Sequence, residues 1–182
     1  MRKIAIAGFL AAALALPAAL VAQGPSAPMK EHEWLHQLAG DWEADLEVSA
    51  GPGQPPLKLK STDNTRRIGG YWIVTQGEVV ASAMPFARSL TLGYDPQAKK
   101  FMGIWVDSSS TYLGKYEGSL DAAGKALTLE GMTPSPFDPS KLVPVREVIE
   151  LKGPDQKVTT TSLKGDDGNW MTLVTVNARR KK

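Results

Sequence analysis

The stretch Glu31-His32-Glu33-Trp34-Leu35-His36-Gln37-Leu38-Ala39-Gly40-Asp41-Trp42-Glu43-Ala44-Asp45-Leu46-Glu47-Val48-Ser49 changes period in its middle, and that change decides the fold. Before Gly40, the apolar residues Trp34, Leu35 and Leu38 recur at helical spacing, which predicts a short helix over residues 31–39. Gly40 stops it, as a glycine just past a helix C-terminus does. Beyond Gly40 the period is two, the signature of strands.

Working outward, strands are expected at residues 41–49, 57–67, 71–80, 88–94, 100–107, 111–120, 126–131, 145–151, 157–164 and 169–178. Turn chemistry separates them: Gly51-Pro52-Gly53, Gly69-Gly70, Asp95-Pro96, Asp121 to Gly124, Gly153-Pro154-Asp155 and Gly165-Asp166-Asp167-Gly168. No long helical pattern intervenes, and parallel pairing needs crossovers of about a dozen residues or more, so the sheet is antiparallel. Closing such a meander removes its exposed edges. The expected fold is all-β: a single up-and-down antiparallel barrel of roughly ten strands, one end plugged by the short N-terminal helix.

Phe101, Gly103 and Trp105 share one strand face, and Met102, Ile104 and Val106 share the other. Both faces are apolar, so that strand should be covered on both sides or face an apolar lumen. Tyr112, Gly114, Tyr116 and Gly118 alternate on the next strand, which suits a tightly curved wall. Residues 132–144 carry Pro134, Pro136, Pro139 and Pro144 and read as one long connection, either a lid or a stiff surface excursion.

Arg2 and Lys3 precede an apolar run from Ile4 to Val21, and Leu20-Val21-Ala22 is an acceptable cleavage site. That layout predicts a secretory signal at residues 1–22, a flexible leader at 23–30 and one barrel domain at 31–180. Export to the periplasm or medium follows, with no membrane span after cleavage. No cysteine is present for disulfide staples or a lipid anchor. The whole chain has 21 basic and 19 acidic residues; without Arg2 and Lys3 each count is 19, leaving no net charge. Only Arg179 to Lys182 form a basic run, so no nucleic-acid face is expected.

Several long motifs resemble the bacterial domain-of-unknown-function 1579 family. They include His32-Glu33-Trp34-Leu35, Gly40-Asp41-Trp42, Arg67-Ile68-Gly69-Gly70-Tyr71-Trp72, Leu92-Gly93-Tyr94-Asp95-Pro96, Trp105-Val106-Asp107-Ser108, Tyr116 to Asp121 and Leu127 to Gly131. The family looks related to calycins, the lipocalin and fatty-acid-binding-protein group. The resemblance implies that Trp42 plugs the barrel end and that Arg179, less favourably Arg180, stacks on it from the last strand. It implies no established reaction.

His32-Glu33-Trp34-Leu35-His36 is a literal HExxH, the spacing of two zinc ligands and a general base on a helix. Catalytic zinc takes a third protein ligand, and no other histidine or cysteine exists to supply it. No metal site is therefore assigned. Some related barrels bind haem through a histidine late in the sequence; none follows His36, so no cofactor is expected. With both histidines in the leader helix, no nucleophilic triad can be assembled and no catalytic residue is assigned. Glu78, Asp107, Glu117, Glu130 and Glu147 lie on strands, and one facing the lumen would have a raised pKa.

The remaining candidates form a pocket. Trp72, Trp105, Tyr112, Tyr116 and Trp170 are aromatics on central strands, and Arg67, Gln76, Arg88 and Arg146 could orient a ligand. The expected partner is a small apolar or amphiphilic molecule in the lumen. The alternatives are an enzyme using a lumen carboxylate or tyrosine, and a structural module of the envelope whose barrel is filled.

Overall fold

In the computed structural model, residues 27–51, 53–80 and 85–182 are described. The expected signal, residues 1–22, and residues 23–26 of the leader lie outside them. Helix α1 (Lys30–His36) precedes ten strands: β1 (Gly40–Val48), β2 (Leu57–Ile68), β3 (Trp72–Val80), β4 (Ala87–Asp95) and β5 (Lys100–Asp107), then β6 (Gly114–Leu120), β7 (Ala126–Pro134), β8 (Leu142–Gly153), β9 (Gln156–Lys164) and β10 (Trp170–Arg180). Each strand pairs with its sequence neighbour, and β1 pairs antiparallel with both β2 and β10, so the barrel closes. No strand is left with an unpaired edge.

Burial fixes which face points inward. On β1, Trp42, Ala44 and Leu46 are buried while Glu43, Asp45 and Glu47 are exposed. Directly opposed residues in an antiparallel pair share a face. Carrying the register round the barrel puts Asp63, Gly77, Arg88, Asp107, Glu147 and Lys157 on the inner face.

The apolar core sits against α1. Trp34, Leu35 and Leu38 pack on Ile73, Leu92, Phe101, Leu127 and Ile149. The Trp34 indole N–H donates to the Gly124 carbonyl at 2.9 Å, tying the helix to the β6–β7 turn. A smaller cluster, Trp42, Ala44, Leu46 and Ala178, lines the β1–β10 side. Curvature depends on close strand approach. A Cβ at Gly118 would run into the Thr128 backbone, and one at Gly103 into the Thr91 carbonyl and Leu92.

Two expectations are corrected and a third is narrowed to its lumen-facing alternative. The proline-rich stretch 132–144 is neither a lid nor a surface excursion: β7 reaches Pro134, β8 starts at Leu142, and Met132 pairs with Pro144. Only residues 135–141 turn, closed by the Ser135 N–H donating to the Lys141 carbonyl at 2.8 Å. Proline is tolerated at a strand end, where its missing N–H interrupts little of the ladder. Thr111 to Leu113 are not in a strand, and β6 begins at Gly114. The outer face of β5 is uncovered, with Met102, Ile104 and Val106 all exposed.

Candidate functional site

The two ends of the barrel differ. At the α1 end, Trp42 is fully buried and its indole N–H donates to the Leu38 carbonyl at 2.9 Å. The Arg180 guanidinium lies 4.3 Å from the ring centroid and the Lys157 ammonium 4.4 Å. Arg180 also donates to the carbonyls of Ala39, Gln37 and Pro154. It thereby satisfies carbonyls that α1 leaves open at its C-terminal side. The stacking cation is thus Arg180, the register partner of Trp42; Arg179 pairs with Glu43 on the outer face and is exposed. Arg179 in that role is corrected accordingly.

Towards the other end, inward residues are only partly buried. Leu59, Val79, Trp105, Val143 and Thr161 all retain intermediate exposure.

Between the ends lies a polar layer. Arg88 donates to Asp63 at 2.6 Å across the lumen wall, and both side chains are almost wholly buried. Two residues from neighbouring strands, Glu147 of β8 and Lys157 of β9, are also buried, Glu147 within the fields of Arg88, Asp63 and Lys157, and Lys157 over the Trp42 ring. Ser61 is 1% exposed, and its hydroxyl has no partner among the described residues. Burial pushes the Glu147 carboxyl up to about 7; Arg88 opposes the rise and Asp63 adds to it. Burial pulls Lys157 down to about 8, opposed by Asp63. Tyr116 is raised by burial, then by the charges of Glu147 and Asp107. At Asp107 burial pushes up, but hydrogen bonds from Ser109, the Trp105 indole and nearby backbone outweigh it and hold the carboxyl low.

The comparisons with known proteins can now be set beside this geometry. The model for a family described as a protein of unknown function, DUF1579, matches residues 27–180. The chain belongs to that family. The DUF1579 barrel is also similar to the crystal structure of Rv2717c from M. tuberculosis, with a TM-score of 0.63 at 14% identity, covering 85% of this chain and 99% of that one. At that identity the likeness shows the fold alone. A redesigned β-barrel aligns with a TM-score of 0.44 at 11% identity, covering 86% of this chain and 100% of its own. No curated protein matches.

Of the residues expected to line a pocket, the DUF1579 barrel turns Arg88, Trp105 and Tyr116 inward. Four others are on the outer wall. Trp72 is exposed and covers Gly93, and Gln76 accepts a hydrogen bond from Arg66. Arg146 pairs with Glu130 and stacks 4.0 Å from the Trp170 ring centroid. Arg67 is exposed at the end of β2. Tyr112 lines an outer-wall groove with Leu113, Lys115, Glu117 and Met132.

The carboxylates separate in the same way. Glu117 pairs with Lys100 outside and Glu130 with Arg146, Glu78 is exposed, and Glu147 alone of the five is fully enclosed. Asp63 and Lys157 were missed by sequence reasoning. Glu147 had a readable signal, because it stands in phase with Val145, Ile149 and Leu151.

The HExxH residues are built into the plug. His32 Nδ1 accepts the Met29 N–H at 2.9 Å, and its ring meets Tyr71 and Tyr94 edge-on at 5.3 and 5.7 Å. His36 Nδ1 lies 3.6 Å from Glu33. Among the described residues no group of three ligating side chains could hold a metal ion, and no helix is long and apolar enough to cross a membrane.

Proposed function

We propose that this protein binds a small, partly apolar molecule in its lumen, entering opposite α1. The observation that carries the reading is the polar layer: the Ser61 hydroxyl lies inside the barrel with no hydrogen-bonding partner among the described residues, and Glu147 and Lys157 are buried on the same inner face. Around them, Leu90, Trp105, Val143 and Leu163 supply apolar wall on the inner face. A mostly apolar pocket with a few convergent polar groups is the usual form of a small-molecule site.

Native mass spectrometry of protein purified without denaturation tests this. A bound mass that disappears after organic extraction is expected. A purely apo spectrum, joined to failure of any amphiphile to change Trp105 fluorescence, would sink the reading. The signal-like residues 1–22 support export, and N-terminal sequencing of protein recovered from the periplasm or medium should begin at Gln23.

A second reading is supported by Glu147 alone. A buried carboxyl titrating near neutrality suits general acid–base work on a lipophilic substrate. Turnover lost in Glu147→Gln, with ligand binding retained, would favour that enzyme.

A further inference from the structure

Strand β5 is apolar on both faces. Phe101, Gly103 and Trp105 face inward, and Met102, Ile104 and Val106 face outward. A strand with that pattern belongs where both faces are covered. The outward three are nevertheless 37%, 45% and 43% exposed. The bare face is wider than one strand. Trp72 is the register partner of Gly93, and Gly93 of Met102, so the indole adjoins the strip from β3. On the other side, Leu113 and Met132 line a groove with Lys115, the partner of Ile104. Trp72, Leu113 and Met132 are all exposed. Between β3 and β5, the outward residues of β4 are the small Ser89, Thr91 and Gly93. With strands about 4.8 Å apart and a rise of about 3.3 Å per residue, the wall from β3 to β7 measures roughly 20 by 25 Å, or about 500 Å². Specific interfaces begin at about 600 Å² per copy, which this wall reaches once its charged border is included.

We propose that this outer wall is the contact surface of a two-fold dimer, covered by a second copy of the chain. Charge selects that occupant. The ion pairs at the border are internally neutral: Lys100 with Glu117, and Arg146 with Glu130. The wall therefore has no net field to draw a strongly charged protein or an anionic lipid surface, and none to repel its own copy.

Two exposed charged side chains within the wall make no hydrogen bond or ion pair among the described residues, Lys115 of β6 and Glu78 of β3. They are opposite in sign and stand on opposite sides of Ile104 and Val106. An isologous contact uses the same patch twice, so what lies on one flank must complement what lies on the other. A two-fold axis crossing between β4 and β5 sets each Lys115 over Glu78 of the second copy. The Ile104 and Val106 strips then meet at the centre. Trp72, Met102 and Met132 bring to it residue types enriched in interfaces. Neither end of the barrel takes part, so the contact stands or falls separately from lumen binding.

The test is sedimentation equilibrium of the purified protein from about 1 to 200 μM, the range in which an interface of this size associates. The mass is expected to rise from that of one chain to that of two. Ile104→Asp should stay monomeric throughout, with melting unchanged. Lys115→Glu and Glu78→Lys should each weaken association about tenfold or more at low salt, and the double exchange should restore it. Wild type that remains monomeric over the whole range overturns the dimer, and so does a dimer that survives Ile104→Asp. If Ile104→Asp does not fold, the exchange decides: a double variant no tighter than either single overturns the two-fold contact. Monomer that floats with phosphatidylcholine vesicles, and loses flotation in Ile104→Asp, would give the face to lipid and overturn the second copy as its occupant.

Discussion

Replacing Glu147 with Gln keeps the side chain's size and removes its titration, so it isolates what burying this acid costs. Its carboxyl rises from an ordinary 4.5 to about 7 on folding. At about 1.36 kcal/mol per pH unit, that rise is worth about 3 kcal/mol. The sign follows from which state holds the proton. Between pH 4.5 and 7 the folded protein keeps a proton that the unfolded chain has released. Stability therefore falls as pH rises through this window, and the full loss is present above pH 7. Lys157 is charged in both states below about pH 8, so its burial adds a constant there and no slope. Asp45, Asp107, Asp138 and Asp167 are all held below 3.8, so their titrations lie beneath the window. Urea unfolding followed by tryptophan fluorescence at pH 5, 6, 7 and 8 measures the difference between wild type and Glu147→Gln. The variant should gain on wild type by about 2–3 kcal/mol between pH 5 and pH 8. Parallel stability curves for the two proteins would refute the claim that Glu147 is enclosed in the folded state.

Other substitutions probe the two ends and the ion pair. Trp42→Ala removes a fully buried indole and should cost roughly 3–5 kcal/mol in chemical unfolding; near-wild-type melting would discard the plug. Arg180→Ala should destabilise by about 1–3 kcal/mol, whereas Arg179→Ala should stay within about 0.5 kcal/mol; the reverse order would mean that the register at β10 is wrong. Arg88→Met leaves Asp63 buried without its partner and should cost roughly 3–5 kcal/mol, much of it recovered when Asp63→Leu is added; additive losses would contradict a buried pair.

The barrel was legible because two periodicities meet at Gly40 and because turn residues punctuate every strand. The strand boundaries follow from local turn chemistry, which hairpins obey. Facing was harder to read. On β2, the inner residues Ser61, Asp63 and Thr65 alternate with Lys60, Thr62 and Asn64, so both faces are polar and neither marks the lumen. On β3, Trp72 and Gln76 lie outside while Ile73 and Gly77 lie inside, and an aromatic there does not reveal its side. At β10 the pattern did hold the answer. Val174, Val176 and Ala178 keep phase with Arg180, not Arg179; the register shift between Thr172 and Val174 and the apolar Leu173 obscure it. Pairing over an intervening strand, such as Asp63 of β2 with Arg88 of β4 across Gly77, joins residues 25 apart and leaves no local trace.

That polar layer is hard to explain as a stabilising device. A hydrophobic replacement of a buried ion pair is often neutral or favourable, and at Glu147 and Lys157 burial outweighs the neighbouring opposite charges. The α1 end shows that this barrel can close with apolar packing, since Leu35, Leu92 and Leu127 are fully buried there. A sequence needing only stability would continue that packing along β8 and β9. Instead, Val145 and Ile149 flank an enclosed acid, and a buried lysine faces Trp42. Strained or under-satisfied groups inside an otherwise consistent fold concentrate where function resides. The plug around Trp42 then has a second consequence: it forms the floor on which Lys157 stands, so the fold's firmest structural feature would also set the depth of the lumen site proposed above.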